Sequence, residues 1–188
     1  MKKLLLIVAV LALVVCVSNL TSAADFATKS VWELGGTISY SSTSISGDGA
    51  PSGSTGVFSL EPYAGYFIMD QFELGLRPIV TSTSPSGGTS VSSVAIFAAP
   101  AWNFKLSNPT ITPFIEALIG FDSFSGGGSS VSGFAFGGNG GIKVLCGKNG
   151  LVNLGVQYIS LDITPSGAPS SYRSNTFSVA AGFTVFVP

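Results

Sequence analysis

The sequence predicts an all-β protein: an eight-stranded antiparallel up-and-down transmembrane β-barrel behind a cleaved signal peptide. Three observations carry this. The first is the stretch Ser174–Val187. It sets Phe177, Val179, Ala181, Phe183, Val185 and Val187 on one face against Thr176, Ser178, Ala180, Gly182, Thr184 and Phe186. A two-residue period marks a strand, and this one exceeds the ~5–6 residues of an ordinary globular strand. It reaches the ~9–11 residues that a tilted strand needs to cross a bilayer. The second is composition: 46% hydrophobic residues and a mean hydropathy of +0.54, with only 9% charged. Soluble domains carry about 25% charged residues, so lipid must replace water over much of this surface. The third is charge placement: Glu33, Glu61, Glu73, Arg77, Lys105, Glu116, Asp122 and Lys143 all share the non-apolar parity of their strands.

The chain begins with a leader. Lys2 and Lys3 precede an apolar run from Leu4 to Val17, then Ser18–Ala24 turns polar and ends in small residues. That is the order of a secretory signal peptide. Cleavage after Ala23 or Ala24 puts Thr21 or Ser22 at the −3 position. We take 1–23 as signal peptide and 24–188 as one barrel domain. The apolar run is short for an uncleaved anchor, which needs ~17–25 residues. Val15 before Cys16 is too large for a lipoprotein site. With Cys16 removed, Cys146 is the one remaining cysteine and has no intramolecular partner.

Seven strands precede the C-terminal one. Strand one, about Val31–Ser42, sets Trp32, Leu34, Ile38 and Tyr40 against Glu33, Thr37 and Ser39. A Ser/Gly-rich loop, 43–56, leads to strand two, about Val57–Ile68. There Phe58, Leu60, Pro62, Ala64 and Tyr66 oppose Ser59, Glu61, Tyr63 and Gly65. A short turn, Met69–Gln71, leads to strand three, about Phe72–Thr81, with Glu73 and Arg77 opposite Leu74, Leu76 and Val80. After a loop at 82–92, strand four, about Ser93–Leu106, opposes Val94, Ile96, Trp102 and Phe104 to Ala95, Phe97, Asn103 and Lys105. The turn 107–110 precedes strand five, about Ile111–Ser123, with Ile115, Ile119 and Phe121 against Glu116, Gly120 and Asp122. A Gly/Ser loop, 124–132, leads to strand six, about Gly133–Cys146, which carries Lys143. Gly147–Gly150 contains an Asn-Gly hairpin signal. Strand seven, about Leu151–Asp162, ends at a loop spanning 163–173. Pro62, Pro78 and Pro100 fall inside strands, where each removes a ladder donor.

An even strand count with alternating long and short connections suits a bacterial barrel with external loops and short periplasmic turns. Aromatic girdles are expected at Trp32, Phe72, Trp102 and Phe104 below, and at Tyr40, Phe58, Phe121, Tyr158 and Phe177 above. An eight-stranded barrel has an interior just wide enough for side chains to fill. We therefore expect Glu33, Glu61, Glu73, Arg77, Lys105, Glu116 and Lys143 to form a lumenal ion-pair network. Glu33, Glu73, Lys105, Glu116 and Lys143 belong to the periplasmic half, Glu61 and Arg77 nearer the middle.

This pattern resembles the small outer-membrane β-barrel proteins of the OmpA/OmpX type, a porin-like outer-membrane β-barrel family. The resemblance spans the whole mature chain. Members end in a strand whose glycine and following alternating hydrophobics are read by the assembly machinery. Gly182, Val185 and Val187 match that spacing, although Val187-Pro188 replaces the usual terminal phenylalanine. The resemblance implies a monomer in the bacterial outer membrane of a Gram-negative cell. Its partners would be outer-membrane lipid and the barrel assembly machinery.

Chemistry is notable for what the chain lacks. It contains no histidine, so a triad of the usual kind is excluded, as is a Cys/His metal site. We expect no catalytic residues, no metal and no cofactor. A pI near 5.2 without a basic cluster argues against nucleic acid. The Gly-rich runs at 125–129 and 137–141 lack the Gly-Lys-Ser/Thr ending of a phosphate loop. The function expected is a non-enzymatic outer-membrane barrel with a narrow or closed lumen, in an envelope-structural or surface-interaction role. One alternative is a passive porin or a transporter of small hydrophobic molecules, with an apolar path near Phe97, Leu118 and Ile159. Another is a soluble secreted all-β binding domain.

Overall fold

A computed structural model describes residues 26–45, 53–83, 91–126, 129–163 and 172–187. The expected signal peptide, with Cys16, lies outside the described residues. Eight strands follow one another around a closed antiparallel barrel: β1 (Trp32–Ile45), β2 (Gly53–Met69), β3 (Phe72–Thr83), β4 (Val91–Asn103), β5 (Ile111–Gly126), β6 (Ser129–Cys146), β7 (Gly150–Ile163) and β8 (Tyr172–Val187). The C-terminal strand closes the ring on the first, with Trp32 opposite Val187 and Ile38 opposite Ala181. Closure leaves no sheet edge, so the ladder bonds are made within the wall.

The two faces of the wall are inverted relative to a globular sheet. Leu60, Leu76, Ile96, Ile115, Ile119 and Phe121 point outward, while Glu33, Glu61, Glu73, Arg77, Glu116 and Lys143 are buried inside. Alternation does this by itself, because a two-residue period sends neighbours to opposite faces. Trp32 packs on Tyr66 and Phe72 on Trp102 at one end, and Phe121 on Phe134 toward the other. Among the described residues the outward parity of β7 and β8 meets charge only at the rim where β7 ends and β8 begins. There Arg173 donates from Nε and Nη2 to Asp162, at 2.7 and 3.2 Å, two same-face rungs beyond the Tyr158–Phe177 pair. The side chain of Tyr40, expected in the girdle, lies outside what is described. We expect Ile119→Arg, in the middle of this apolar band, to cost about 2–4 kcal/mol in lipid. Urea unfolding in vesicles, compared with a conservative Ile119→Val, checks it.

Several boundaries differ from the sequence reading. The strands run further at the loop end, where Ser44 still opposes Ser54. β5 and β6 continue to Gly126 and Ser129, so only 127–128 separate them where a longer loop was expected. Ser, Thr and Gly offer no hydrophobic contrast there, so periodicity could not mark the strand ends. In the other direction β4 stops at Asn103, and 104–110 forms the connection to β5. The long–short alternation is therefore less regular than expected. The left-handed residue of the β6–β7 turn is Gly147, with φ 71°, rather than the Asn-Gly pair that follows. Cys146 ends β6, and Cys16, the other cysteine, lies outside the described residues.

The strand prolines have a local answer. The β2–β3 register runs from Leu60 opposite Val80 to Ala64 opposite Leu76. Pro62 and Pro78 therefore face each other in the interval where the ladder is interrupted. Two missing donors on one rung break the ladder once instead of twice. Pro62 still sits opposite Gly36 on its other side.

Residues 26–31 fold under the barrel, which the sequence reading missed. Ser30 N donates to Phe67 O, Phe67 N to Val31 O and Gln71 N to Ala27 O. Left-handed Ala27 and Ser30 (φ 62° and 71°) make the bends of this segment, and left-handed Gln71 (φ 69°) shapes the β2–β3 turn it bonds to. Phe26 meets the rings of Phe67 and Phe186 at 5.5 Å each. With Ala27, Val31, Leu145 and Leu151 these aromatic rings form an apolar stopper across the end of the barrel that carries the β2–β3 and β6–β7 turns.

Candidate functional site

The lumen is stacked in layers above that stopper. The first is centred on Lys143 of β6. Its ammonium donates to Glu33 Oε2 at 2.6 Å and Glu73 Oε2 at 3.2 Å. It also lies 5.3 Å from the ring centroids of both Phe26 and Phe114. Thr184 donates to Glu33 Oε1 at 2.7 Å, and Asn103 Nδ2 to Glu73 Oε2 at 3.3 Å. Glycine at 65 is required here, because a Cβ would strike the Glu73 carboxylate and the Tyr63 hydroxyl.

The next layer is centred on Arg77 of β3. Its Nη2 donates to Glu116 Oε1 at 3.0 Å, and its Nη1 lies 3.5 Å from Glu61 Oε2. The guanidinium also sits over the Tyr63 ring, 4.7 Å from its centroid. Ser39 and Gln157 donate to Glu61 at 2.6 and 3.2 Å, and Asn139 to Glu116 at 3.0 Å. Such charges persist in a dry interior only when paired and hydrogen-bonded. Each glutamate is ion-paired and accepts at least one hydrogen bond, although Glu73 Oε1 and Arg77 Nε are buried without a partner.

Six of the seven residues expected in the lumenal network thus come together, as two clusters. Glu116 joins Arg77 near the middle instead of the lower group. Lys105 does not join: it lies beyond the end of β4, exposed in the 104–110 connection. The cause is the early end of β4, which removes the alternation that would have aimed its side chain inward. Gly182 faces inward, while Val185 and Val187 face outward beside β1.

Between the two clusters lies a cavity of about 20 Å3, touched by Glu33, Tyr63, Arg77, Glu116, Asn139 and Lys143. That is room for about one water molecule. Asn139 and Asn153 line it, and the amide oxygens of both are buried without a protein donor. Their amide nitrogens are committed to Glu116 and Thr184, which fixes both orientations.

Above the Arg77 layer the interior widens into a cavity of about 110 Å3 toward the outer end. Ser59, Thr81, Thr83, Ser93, Thr176 and Ser178 supply hydroxyls, and Glu61 and Asp122 carboxylates. Ser93 donates to Asp122 Oδ1 at 2.9 Å. Apolar side chains on the same strands complete the lining. Phe97 and Ile79 belong to a packed cluster with Tyr63, Ala95, Ala99, Leu118, Ala135 and Leu161, against which Phe124 and Ile159 lie. Phe97, Leu118 and Ile159, the suggested apolar path, are members or neighbours of that packing.

An apolar exterior, a charged interior and a closed ring of eight strands define a transmembrane β-barrel. No protein-family model matches the chain, and no characterised relative matches it by sequence. Solved structures share its fold. It superposes on Neisserial surface protein A with a TM-score of 0.68 at 16% identity, covering 82% of this chain and 96% of that one. For the outer membrane protein AlkL, determined in DMPC bilayers, the values are 0.57 and 15%, covering 90% and 95%. For the outer membrane protein OprG of Pseudomonas aeruginosa they are 0.55 and 14%, covering 87% and 99%. The chain has the fold of the small eight-stranded outer-membrane barrels.

Proposed function

We propose that the protein is a non-enzymatic barrel of the bacterial outer membrane, with a lumen closed on the periplasmic side. Its role would lie in envelope structure or in contacts made at its outer end. The observation that carries this is the double closure of the lower lumen. The Phe26–Phe67–Phe186 stopper and the Lys143 and Arg77 clusters lie in series, and a cavity of about 20 Å3 is the space between the charged layers. Neither a hydrated ion nor an apolar solute passes such a stack without breaking buried ion pairs. Absence of histidine from the sequence favours a role without acid–base catalysis.

In this reading residues 1–23 direct export and are removed. The chain works as a monomer in lipid, and Gly182, Val185 and Val187 are read by the barrel assembly machinery. The ends of the barrel where β1 meets β2, β3 meets β4, β5 meets β6 and β7 meets β8 face outward. Purified protein in a planar bilayer should give a flat current at all voltages. Defined conductance steps would instead favour the passive porin. Membrane fractionation with and without boiling tests the location: the folded barrel should stay with the outer membrane and shift in mobility on heating.

A further inference from the structure

We propose that the upper cavity is a binding site for a small organic ammonium ion with an apolar body. The cavity of about 110 Å3 holds several water-sized volumes. Its lining mixes two chemistries along the same strands. Phe97, Phe124, Ile79 and Ile159 offer apolar and aromatic surface, and beside them Ser93, Thr81, Asp122 and Glu61 offer hydroxyls and carboxylates. An alkyl chain buries against the first set, and an ammonium donates to the second.

The distribution of basic residues selects the charge. No lysine or arginine lines this cavity among the described residues. Lys29, Lys105 and Lys148 are exposed at the opposite end of the barrel. Lys143 and Arg77 are held by glutamates in the layers below. Arg173 is on the outer rim, bound to Asp162. The sequence of the connecting segments 46–52, 84–90, 127–128 and 164–171 contains neither lysine nor arginine. Among the described residues no cation is left to neutralise Asp122. An anionic or zwitterionic solute would find its carboxylate without a partner, a penalty that excludes ligands more sharply than a missing apolar contact.

Asp122 is the carboxylate to test. Glu61 already accepts from Ser39 and Gln157 and is ion-paired with Arg77, whereas Asp122 is half-buried at the cavity wall and held by Ser93. The experiment titrates the folded, full-length barrel in lipid nanodiscs with n-butylammonium chloride, sodium butyrate and 1-butanol. Ionic strength is held constant, and binding is read by calorimetry and amide chemical shifts. Saturable binding of butylammonium alone is expected, with a loss of at least tenfold in Asp122→Asn. Thr81→Phe, which fills the cavity and keeps the carboxylate, should abolish it. Heat-dependent gel mobility verifies that both variants fold, and either folded variant suffices for the comparison. Butanol binding as tightly as butylammonium, butyrate binding equally, an unchanged Asp122→Asn, or no saturation would each overturn the proposal. Failure here leaves the closed-lumen reading untouched, since that rests on the conductance trace.

Discussion

Replacing Lys143 with Met should destabilise the barrel by about 3–5 kcal/mol, the usual cost of leaving a buried charge without its partner. Two carboxylates are stranded at once. Glu33 and Glu73 both contact the ammonium, and both are 0% exposed. Thr184 and Asn103 would remain as donors, so the carboxylates keep hydrogen bonds and lose their counter-charge. Adding Glu33→Gln and Glu73→Gln to Lys143→Met removes the stranded charges and should restore most of the loss. Unfolding in urea, followed by gel mobility in lipid vesicles, measures both. A Lys143→Met protein as stable as the parent would mean that water already screens this layer and that the lower lumen is wet.

Phe67→Ala should also cost about 3–5 kcal/mol, as expected for truncating a fully buried phenylalanine. Phe67 is 0% exposed and packs edge-on against Phe26. The effect should be concentrated at one end. Phe67 N and O bond to Val31 and Ser30, so its backbone aligns the segment that its ring holds down. Amide exchange at Ser30 and Phe67 should accelerate far more than at Ile119, in the middle of the wall. Uniform acceleration would mean that 26–31 is an inseparable part of the barrel rather than a stopper seated in it. The bilayer current should stay flat in this variant, because the Lys143 and Arg77 layers still close the lumen.

The wall of the barrel was readable from the sequence. Leucine, isoleucine and phenylalanine alternating with glutamate and lysine assign faces without any tertiary information. That parity correctly turned Glu33, Glu61, Glu73, Arg77, Glu116 and Lys143 inward. It failed for Lys105, because parity holds only while the strand continues, and β4 ends before it. Pairing within the lumen was less visible. Alternation places Glu116 on the inner face but cannot say that Arg77, two strands away, reaches it before Lys143 does. The stopper was illegible for a different reason. Phe26-Ala-Thr-Lys-Ser30 has no period at all, and its path depends on two left-handed residues, Ala27 and Ser30, neither of them glycine. Phe186 carried the available hint, a large aromatic on the face that otherwise held small and polar residues.

The pairs across the lumen also impose an order on folding. Lys143 and Glu33 are 110 residues apart, and Thr184 and Glu33 are 151 apart. No hairpin of neighbouring strands contains either pair. Adjacent strands can zip together first, but these contacts form only when β6 and β8 come round to β1, and long loops close late. A strand slipped by one residue would turn its charged members to the lipid and leave their partners bare. The network therefore works as a checksum on ring closure: it is complete for the native register and costly for its neighbours. Once formed late, such contacts mainly slow unfolding, so the finished cylinder should be harder to open than it was to shut.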